Sequence, residues 1–398
     1  MEQAQEIFYP LATSSWDQLE IDAIQKVIKK GMYSMGSEVA ACEKQFATYL
    51  KSKYCVMVSS GSTANLIMVA ALFYCKNNPL KRGDEVIVPA VSWSTTYYPL
   101  YQYGLKLKFV DIDVETLNFD LAALESAITD KTRLIMNVNL LGNPNDFDKI
   151  NALIKNKNIR LIEDNCESMG ALFNKKQAGT FGLMGTYSCF FSHHIATMEG
   201  GFVTTDDEEF YHLLLCLRAH GWTRNLPKEN HVTGTKSDNA FVESFKFVLP
   251  GYNVRPLEMS GAIGQEQIKK LPNFIDVRRK NAMTFVELFK NHPDFIIQKE
   301  IGESSWFGFS FVIRETSKMN RLELIDYLTK NGVECRPIVT GNFAKNEVLK
   351  WFDYEIHGKL KNADRIDEYG FFVGNHQVDM SAQIRKLKVL MDQYVQKV

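Results

Sequence analysis

Two adjacent histidines, His193 and His194, sit inside the run SCFFSHHIATMEGG, between Ser188 and Gly201. Imidazole, with an unperturbed pKa of about 6.5, takes and returns protons near neutrality. Ser188 lies five residues before His193, within a β-rich stretch. Asp164 closes the apolar pair Leu161-Ile162 in IEDNCESMGA. In open α/β sheets ligands bind at the carboxyl ends of strands, and a carboxylate there can keep a pyridine nitrogen protonated. The segment SSGSTANL, Ser59 to Leu66, stands between a strand and a helix. Gly61 permits close backbone approach, Ser62 and Thr63 add hydroxyls, and the free N–H groups of a helix start suit a phosphate. Trp93, in VPAVSWSTTYYPL, offers a flat face on which a heterocycle can stack.

Singly, each feature has a plain structural explanation. These are an N-cap on an ordinary loop, a loop-capping Asp, core or surface histidines and a core aromatic. In combination they form a series: a phosphate cradle, a stacking aromatic, a pyridinium-pairing carboxylate and a base, each near the end of a strand.

The elements that must position them alternate. Strand-like runs fall at Tyr54–Val58, Val86–Val88, Leu107–Val110, Leu134–Val138, Arg160–Ile162, Thr186–Phe191 and Gly201–Thr204, with helical patterns between them and at Glu208–Ala219. This alternation predicts a mostly parallel, doubly wound α/β sheet covered by helices. Beyond about residue 265 the pattern changes to a charged helix (Phe274–Asn291), a strand (Phe307–Arg314), a helix (Arg321–Asn331) and a strand (Glu334–Ile338). The reading is a large domain over residues 1–265 and a smaller α+β domain over 266–398, with the segment before residue 40 packing on the second domain or on a partner.

Composition narrows the function classes. With 46 basic against 47 acidic residues the net charge is −1, which gives no nucleic-acid-binding face. The start, MEQAQEIFYP, lacks the pattern of a secretory signal, and the longest apolar run, Leu66–Phe73 with Tyr74, is too short to span a bilayer and reads as a buried helix. Seven cysteines at 42, 55, 75, 166, 189, 216 and 335 contain no C-x-x-C, so no zinc or iron–sulfur motif is visible and no metal is expected. Reduced thiols in a cytoplasmic protein are the expectation.

The order of the motifs resembles the sugar aminotransferases of the DegT/DnrJ/EryC1 family, through VSSGSTANL, VPAVSWSTT, EDNCESMGA, the 188–201 segment, GYNVRP (251–256) and CRP (335–337). The resemblance covers nearly the whole chain. It implies the type I pyridoxal-phosphate (aspartate aminotransferase) fold and a homodimer with shared active sites. It also implies pyridoxal or pyridoxamine 5'-phosphate as cofactor, L-glutamate as amino donor and a nucleotide-linked sugar as substrate. Gly61, Ser62 and Ser188 would contact the phosphate, Trp93 the ring and Asp164 the ring nitrogen. Asn253 resembles the family residue that reaches the phosphate from the other subunit, and Glu167 stands near the cofactor where the family has a neutral or basic side chain. His220, Arg224 and Arg336 are candidates for substrate contacts, the arginines because a planar guanidinium suits phosphate and carboxylate alike.

At one position the chain departs from the family. The family places a lysine five residues after the serine, followed by Glu-Gly-Gly; here Ser188, His193 and Glu199-Gly200-Gly201 hold those places. Between Lys176 and Lys228 there is no lysine, so a register slip cannot restore it. Lysine tethers the cofactor covalently and moves a proton at its C4′ carbon, whereas imidazole can do only the second. The runs FSHHIATMEGG and RAHGWTRNLPK (218–228) are similar to the family's sugar 3-dehydratases. These lyases remove the C3 hydroxyl of a 4-keto-6-deoxy sugar with release of ammonia. The iron–sulfur 3-dehydrases share the histidine but carry a cysteine cluster that this chain lacks. A nucleotide-sugar aminotransferase without the tether, and a non-catalytic homologue, are the alternatives.

Overall fold

The computed structural model describes residues 7–397. The first six residues of MEQAQEIFYP, and Val398, lie outside the described residues. Twelve strands build the two larger sheets, and seven of these come first: β1 (Tyr54–Val58), β2 (Glu85–Pro89), β3 (Lys106–Val110), β4 (Thr132–Val138), β5 (Arg160–Asp164), β6 (Gly185–Ser188) and β7 (Gly201–Thr205). Five more follow: β8 (Phe295–Ile297), β9 (Gly308–Ile313), β10 (Cys335–Arg336), β11 (Tyr354–Ile356) and β12 (Gly370–Gly374). The large sheet has eight strands in the order β1-β7-β6-β5-β4-β2-β3-β11. All its pairings are parallel except the two made by β7.

Alternating side chains explain why both faces are covered. In β1, Val56 and Val58 join one core, while Cys55 and Met57 join another on the opposite face. In β4, Leu134 and Met136 point one way and Ile135 the other. Period-two burial on both sides is what a parallel sheet sandwiched by helices requires. The apolar run at Leu66 is the body of helix α3 (Gly61–Tyr74), which packs into the first of these cores.

The C-terminal part forms a four-stranded sheet, β8-β9-β12-β10, around an aromatic core that includes Phe285, Phe309, Phe311 and Phe371. The N-terminal segment belongs to this core. Tyr9 is fully buried in it, pairs with Val333 and accepts the Glu334 N–H at 3.0 Å.

Three features differ from the sequence-based elements. The predicted helix Phe274–Asn291 is the second half of a single helix, Glu258–Phe289, which runs through Pro272 and across residue 265. Pro272 reads locally as a helix start, because it lacks an N–H and clashes with the preceding turn. The first half is nevertheless held helical by contact with α2 (Ser37–Leu50): a Cβ on Gly261 would lie 2.6 Å from Val39 Cα, and one on Gly264 2.6 Å from Cys42 Sγ. Strand β11 leaves the C-terminal part to extend the edge of the large sheet beside β3. The run Thr186–Phe191 is strand only to Ser188, after which the chain turns and His193 N–H caps back to Phe190 O at 2.9 Å.

Candidate active site

The site collects at the carboxyl ends of β1, β2, β5 and β6, where the sheet delivers four loops to one place. At the first, Ser60 caps α3: its hydroxyl accepts from Thr63 N–H, and Thr63 Oγ1 accepts from Ser60 N–H. This capping box leaves the amides of Gly61 and Ser62 outside it, at the positive end of the helix dipole. Ser188, the last residue of β6, stands directly over Gly61, and a Cβ on Gly61 would lie 2.7 Å from Ser188 Cβ. Gly201 is equally constrained, since its Cβ would lie 2.4 Å from Ser60 O. Glycine at both positions lets β7 and the α3 start approach closely enough to place the Ser188 hydroxyl beside free amides, a donor set suited to a phosphate.

The second loop carries Trp93 into α4 (Ser94–Gln102) as its N-cap residue. Ser62 Oγ bonds Thr95 Oγ1 at 3.1 Å, which joins the two helix starts. Trp93 is 56% exposed, an unusual state for indole, and leaves its face open for a flat ring.

Asp164, at the end of β5, is 6% exposed. Its Oδ2 accepts from Asn65 Nδ2 at 2.8 Å and Thr96 Oγ1 at 2.7 Å, and its Oδ1 from Cys166 N–H at 3.2 Å. All three donors are neutral. A buried carboxylate whose donors are neutral has no countercharge beside it, and the site calls for a cationic partner. A protonated pyridine nitrogen meets that demand. Glu167 lies close by, with Oε2 accepting Leu141 N–H at 3.1 Å. Burial, opposed by that hydrogen bond and reinforced by the Asp164 charge, raises its pKa to about 7.

The histidine pair divides its roles. His194 is buried, and its Nε2 faces Ser305 O at 3.2 Å. His193 is half-buried, and burial, with the charge of Arg278, pushes its pKa down to about 4. It is therefore a neutral base near pH 7. Its Nδ1 is buried, without a hydrogen-bond partner among the described residues. Ring contacts surround it instead, Phe307 at 5.2 Å and Phe190 at 6.1 Å, both edge-to-face. The free amides, the open indole face, the uncompensated carboxylate and the neutral imidazole together fit pyridoxal phosphate or pyridoxamine phosphate held without a covalent bond.

Other sequence candidates make contacts of their own. His220 and Arg224 gather around Trp222. His220 packs on it at 5.1 Å, and Arg224 lies over it at 4.2 Å. Asn253 pairs with Ala219 and is exposed, its Oδ1 accepting from Arg255 Nε at 2.9 Å. Arg336 is exposed on β10, paired with Phe372, whose ring is 6.5 Å from Phe307. Sequence reasoning missed Asn65, Thr96 and Phe307. The first two lie inside the quoted segments SSGSTANL and VSWSTT, four residues after Gly61 and three after Trp93, so helical spacing was the available signal. Phe307 is 114 residues from His193 and gave none.

Among known proteins, the GDP-4-keto-6-deoxy-D-mannose 3-dehydratase of Yersinia pseudotuberculosis is 66% identical over 382 residues, which is 96% of this chain and 97% of that protein. The protein of the same name from Escherichia coli O55:H7 is 64% identical, over 97% of this chain and all of its own length. The solved structure of the E. coli enzyme with bound hydrated PLP has a TM-score of 0.96 at 64% identity and covers 97% of this chain and 100% of that one. The architecture is the type I pyridoxal-phosphate fold, with a mostly parallel eight-stranded sheet. The model of the DegT/DnrJ/EryC1/StrS aminotransferase family matches residues 14–382, and the chain belongs to that family.

Proposed function

We propose that this protein is a lyase, a 3-dehydratase that removes the C3 hydroxyl of a nucleotide-linked 4-keto-6-deoxy sugar, GDP-4-keto-6-deoxy-D-mannose. The products are a 4-keto-3,6-dideoxy sugar of the kind that leads to colitose, and ammonia. The observation that carries this reading is His193, a neutral, untethered base in the place of the family's lysine. The similarity to dehydratases of that name supports the choice of sugar and nucleotide.

When bound, pyridoxamine phosphate supplies the amine that joins the 4-keto carbon and the conjugated ring that accepts electrons, and L-glutamate restores the amine. Gly61, Ser62 and Ser188 hold the phosphate, Trp93 covers the ring face and Asp164 holds a proton on the ring nitrogen. His193 takes a proton at C4′ and returns it to the oxygen leaving C3, so that the C3–O bond breaks with loss of water. Imidazole cannot replace the sugar's amine by forming a covalent bond of its own, so the amine is released with the sugar and is lost by hydrolysis.

The reading extends to the remaining candidates. Glu167 borders the ring, while His220, Arg224 and Arg336 contact the nucleotide sugar or glutamate. Asn253 reaches the neighbouring subunit's phosphate in a homodimer. Phe241, Phe245 and Phe247 are exposed, which supports a covered face. Residues 1–265 supply most of the cofactor site and 266–398 most of the smaller domain, apart from the N-terminal segment and β11, which cross between them. The seven free thiols support a cytoplasmic location. Among the described residues no helix is long and apolar enough to cross a membrane.

The test is product identification after incubation with GDP-4-keto-6-deoxymannose, pyridoxal phosphate and glutamate. A 3-deoxy product with stoichiometric ammonia is expected. An aminated sugar that keeps its C3 hydroxyl would make the protein an aminotransferase, and an unchanged absorption spectrum on adding glutamate would make it non-catalytic.

A further inference from the structure

A base that moves a proton between two atoms must be oriented, and the usual device is a hydrogen bond from its second ring nitrogen to a carboxylate or carbonyl. Among the described residues His193 has none, since Nδ1 is buried and unbonded there. The missing lysine also removes the covalent bond that would fix the cofactor relative to its base. What remains against the imidazole is aromatic packing. Phe307 meets it edge-to-face at 5.2 Å with an interplanar angle of 68°, and also touches His194 at 5.7 Å.

Phe307 is itself held through its backbone on both sides. Its N–H donates to Leu141 O at 3.2 Å, and its carbonyl accepts from Arg278 at 3.1 Å. Arg278 is 2% exposed, and its hydrogen bonds go to the backbone carbonyls of Trp306, Phe307 and Asn375 rather than to a carboxylate. Asn375 Nδ2 binds Trp306 O at 2.8 Å from the other side. Two bulky residues in this arrangement, Leu141 and Trp306, adopt left-handed backbone conformations, each with φ of 48°. Such strain persists only where the surroundings over-determine it, and it gathers at functional sites. Leu141 N–H in turn donates to Glu167, beside Asp164.

We propose that Phe307 is a positioning residue for His193, an aromatic splint that fixes the imidazole plane in place of a hydrogen bond, with Arg278 anchoring the splint through the Trp306 and Phe307 carbonyls. The proposal rests on the reading of His193 as the base. It is a role in orientation, so it acts on turnover more than on binding.

The experiment compares Phe307→Leu, Phe307→Tyr and the unaltered full chain. Phe307→Leu is expected to lower kcat by about 10- to 100-fold, because small misplacements of a reacting group have effects of that order, with KM and pyridoxal-phosphate affinity within about 2-fold of the unaltered chain. The second readout needs no reaction. In ¹⁵N-histidine NMR, with the His193 signal identified by its loss in His193→Asn, the unaltered chain should give one tautomer and Phe307→Leu an averaged pair. Phe307→Tyr keeps the ring and should restore both. Should Phe307→Leu lose its native circular-dichroism spectrum, Phe307→Met, with a more adaptable side chain, is read by the same criteria. Unchanged kcat and tautomer in the folded variant, a loss confined to KM, or a Phe307→Tyr variant as damaged as Phe307→Leu would each overturn the proposal. If the unaltered chain makes no 3-deoxy product yet the tautomer still changes, the assigned reaction fails while the splint stands.

Discussion

Asp164 and His193 stand at the ends of neighbouring parts of one sheet, yet they are held in opposite ways. The carboxylate is fixed by three neutral donors from three segments, and each such bond to a charged acceptor is worth about 1.5–3 kcal/mol. The imidazole has one unbonded buried nitrogen and a shell of aromatic rings. A group that must keep one charge state is best saturated with hydrogen bonds. A group that must accept and release a proton is best left with a nitrogen uncommitted, its charged form disfavoured by burial.

Replacing the imidazole should have the largest effect. His193→Asn keeps polarity and approximate size but not the base, and should lower 3-deoxy product formation about 1000-fold while the cofactor still binds; sugar product assayed by mass spectrometry checks it. On the fixed side, Asp164→Asn keeps most of the hydrogen bonds but removes the charge. Turnover should fall about 100-fold, the range seen when an electrostatic stabiliser is removed, and the cofactor's absorption band should shift as its ring nitrogen loses its proton. If Asp164→Asn matched the unaltered chain, the carboxylate would not be the pyridinium partner.

Smaller changes probe the shells. Thr96→Val removes one of the two donors to Asp164 Oδ2 and should lower stability by about 2 kcal/mol, measured by urea unfolding, with a turnover loss well below that of Asp164→Asn. The smallest effect is expected from Glu167→Gln, and it is a matter of pH. Glu167 is raised from 4.5 to about 7, so the folded chain holds a proton that the unfolded chain has released across that window. Stability contributed by this group therefore falls as pH rises from 4.5 to about 7. His193, lowered from 6.5 to about 4, has the opposite slope, its contribution falling as pH drops through that range. In the cofactor-free protein, Glu167→Gln should thus gain Tm relative to the unaltered chain as pH rises toward 7, and His193→Asn should gain Tm as pH falls toward 4. A pH-independent difference for either variant would mean that its burial does not govern its titration.

The strands of the large sheet were legible because local pattern and tertiary environment agree in β1 to β7, where short β-rich runs end at turn residues. The long helix was legible only past Pro272, since a local rule places a boundary at proline while the glycines that hold the first half against α2 act across more than 200 residues of sequence. Strand β11 was not legible at all: Tyr354–Ile356 is three residues long, exposed, and defined by β3 alone.

The site divides along the same line. Residue identity, set beside the family's pattern, determined that an imidazole replaces an amine at position 193, that a carboxylate closes β5, and that no lysine is near in sequence to restore a tether. These are facts of covalent chemistry and need no coordinates. Only the tertiary structure decided which histidine of the pair meets the Ser305 carbonyl, that the donors to Asp164 are neutral, and that Phe307 packs on His193. Burial and orientation arise from segments more than 60 residues apart closing on one another, and no local pattern encodes which of them will meet.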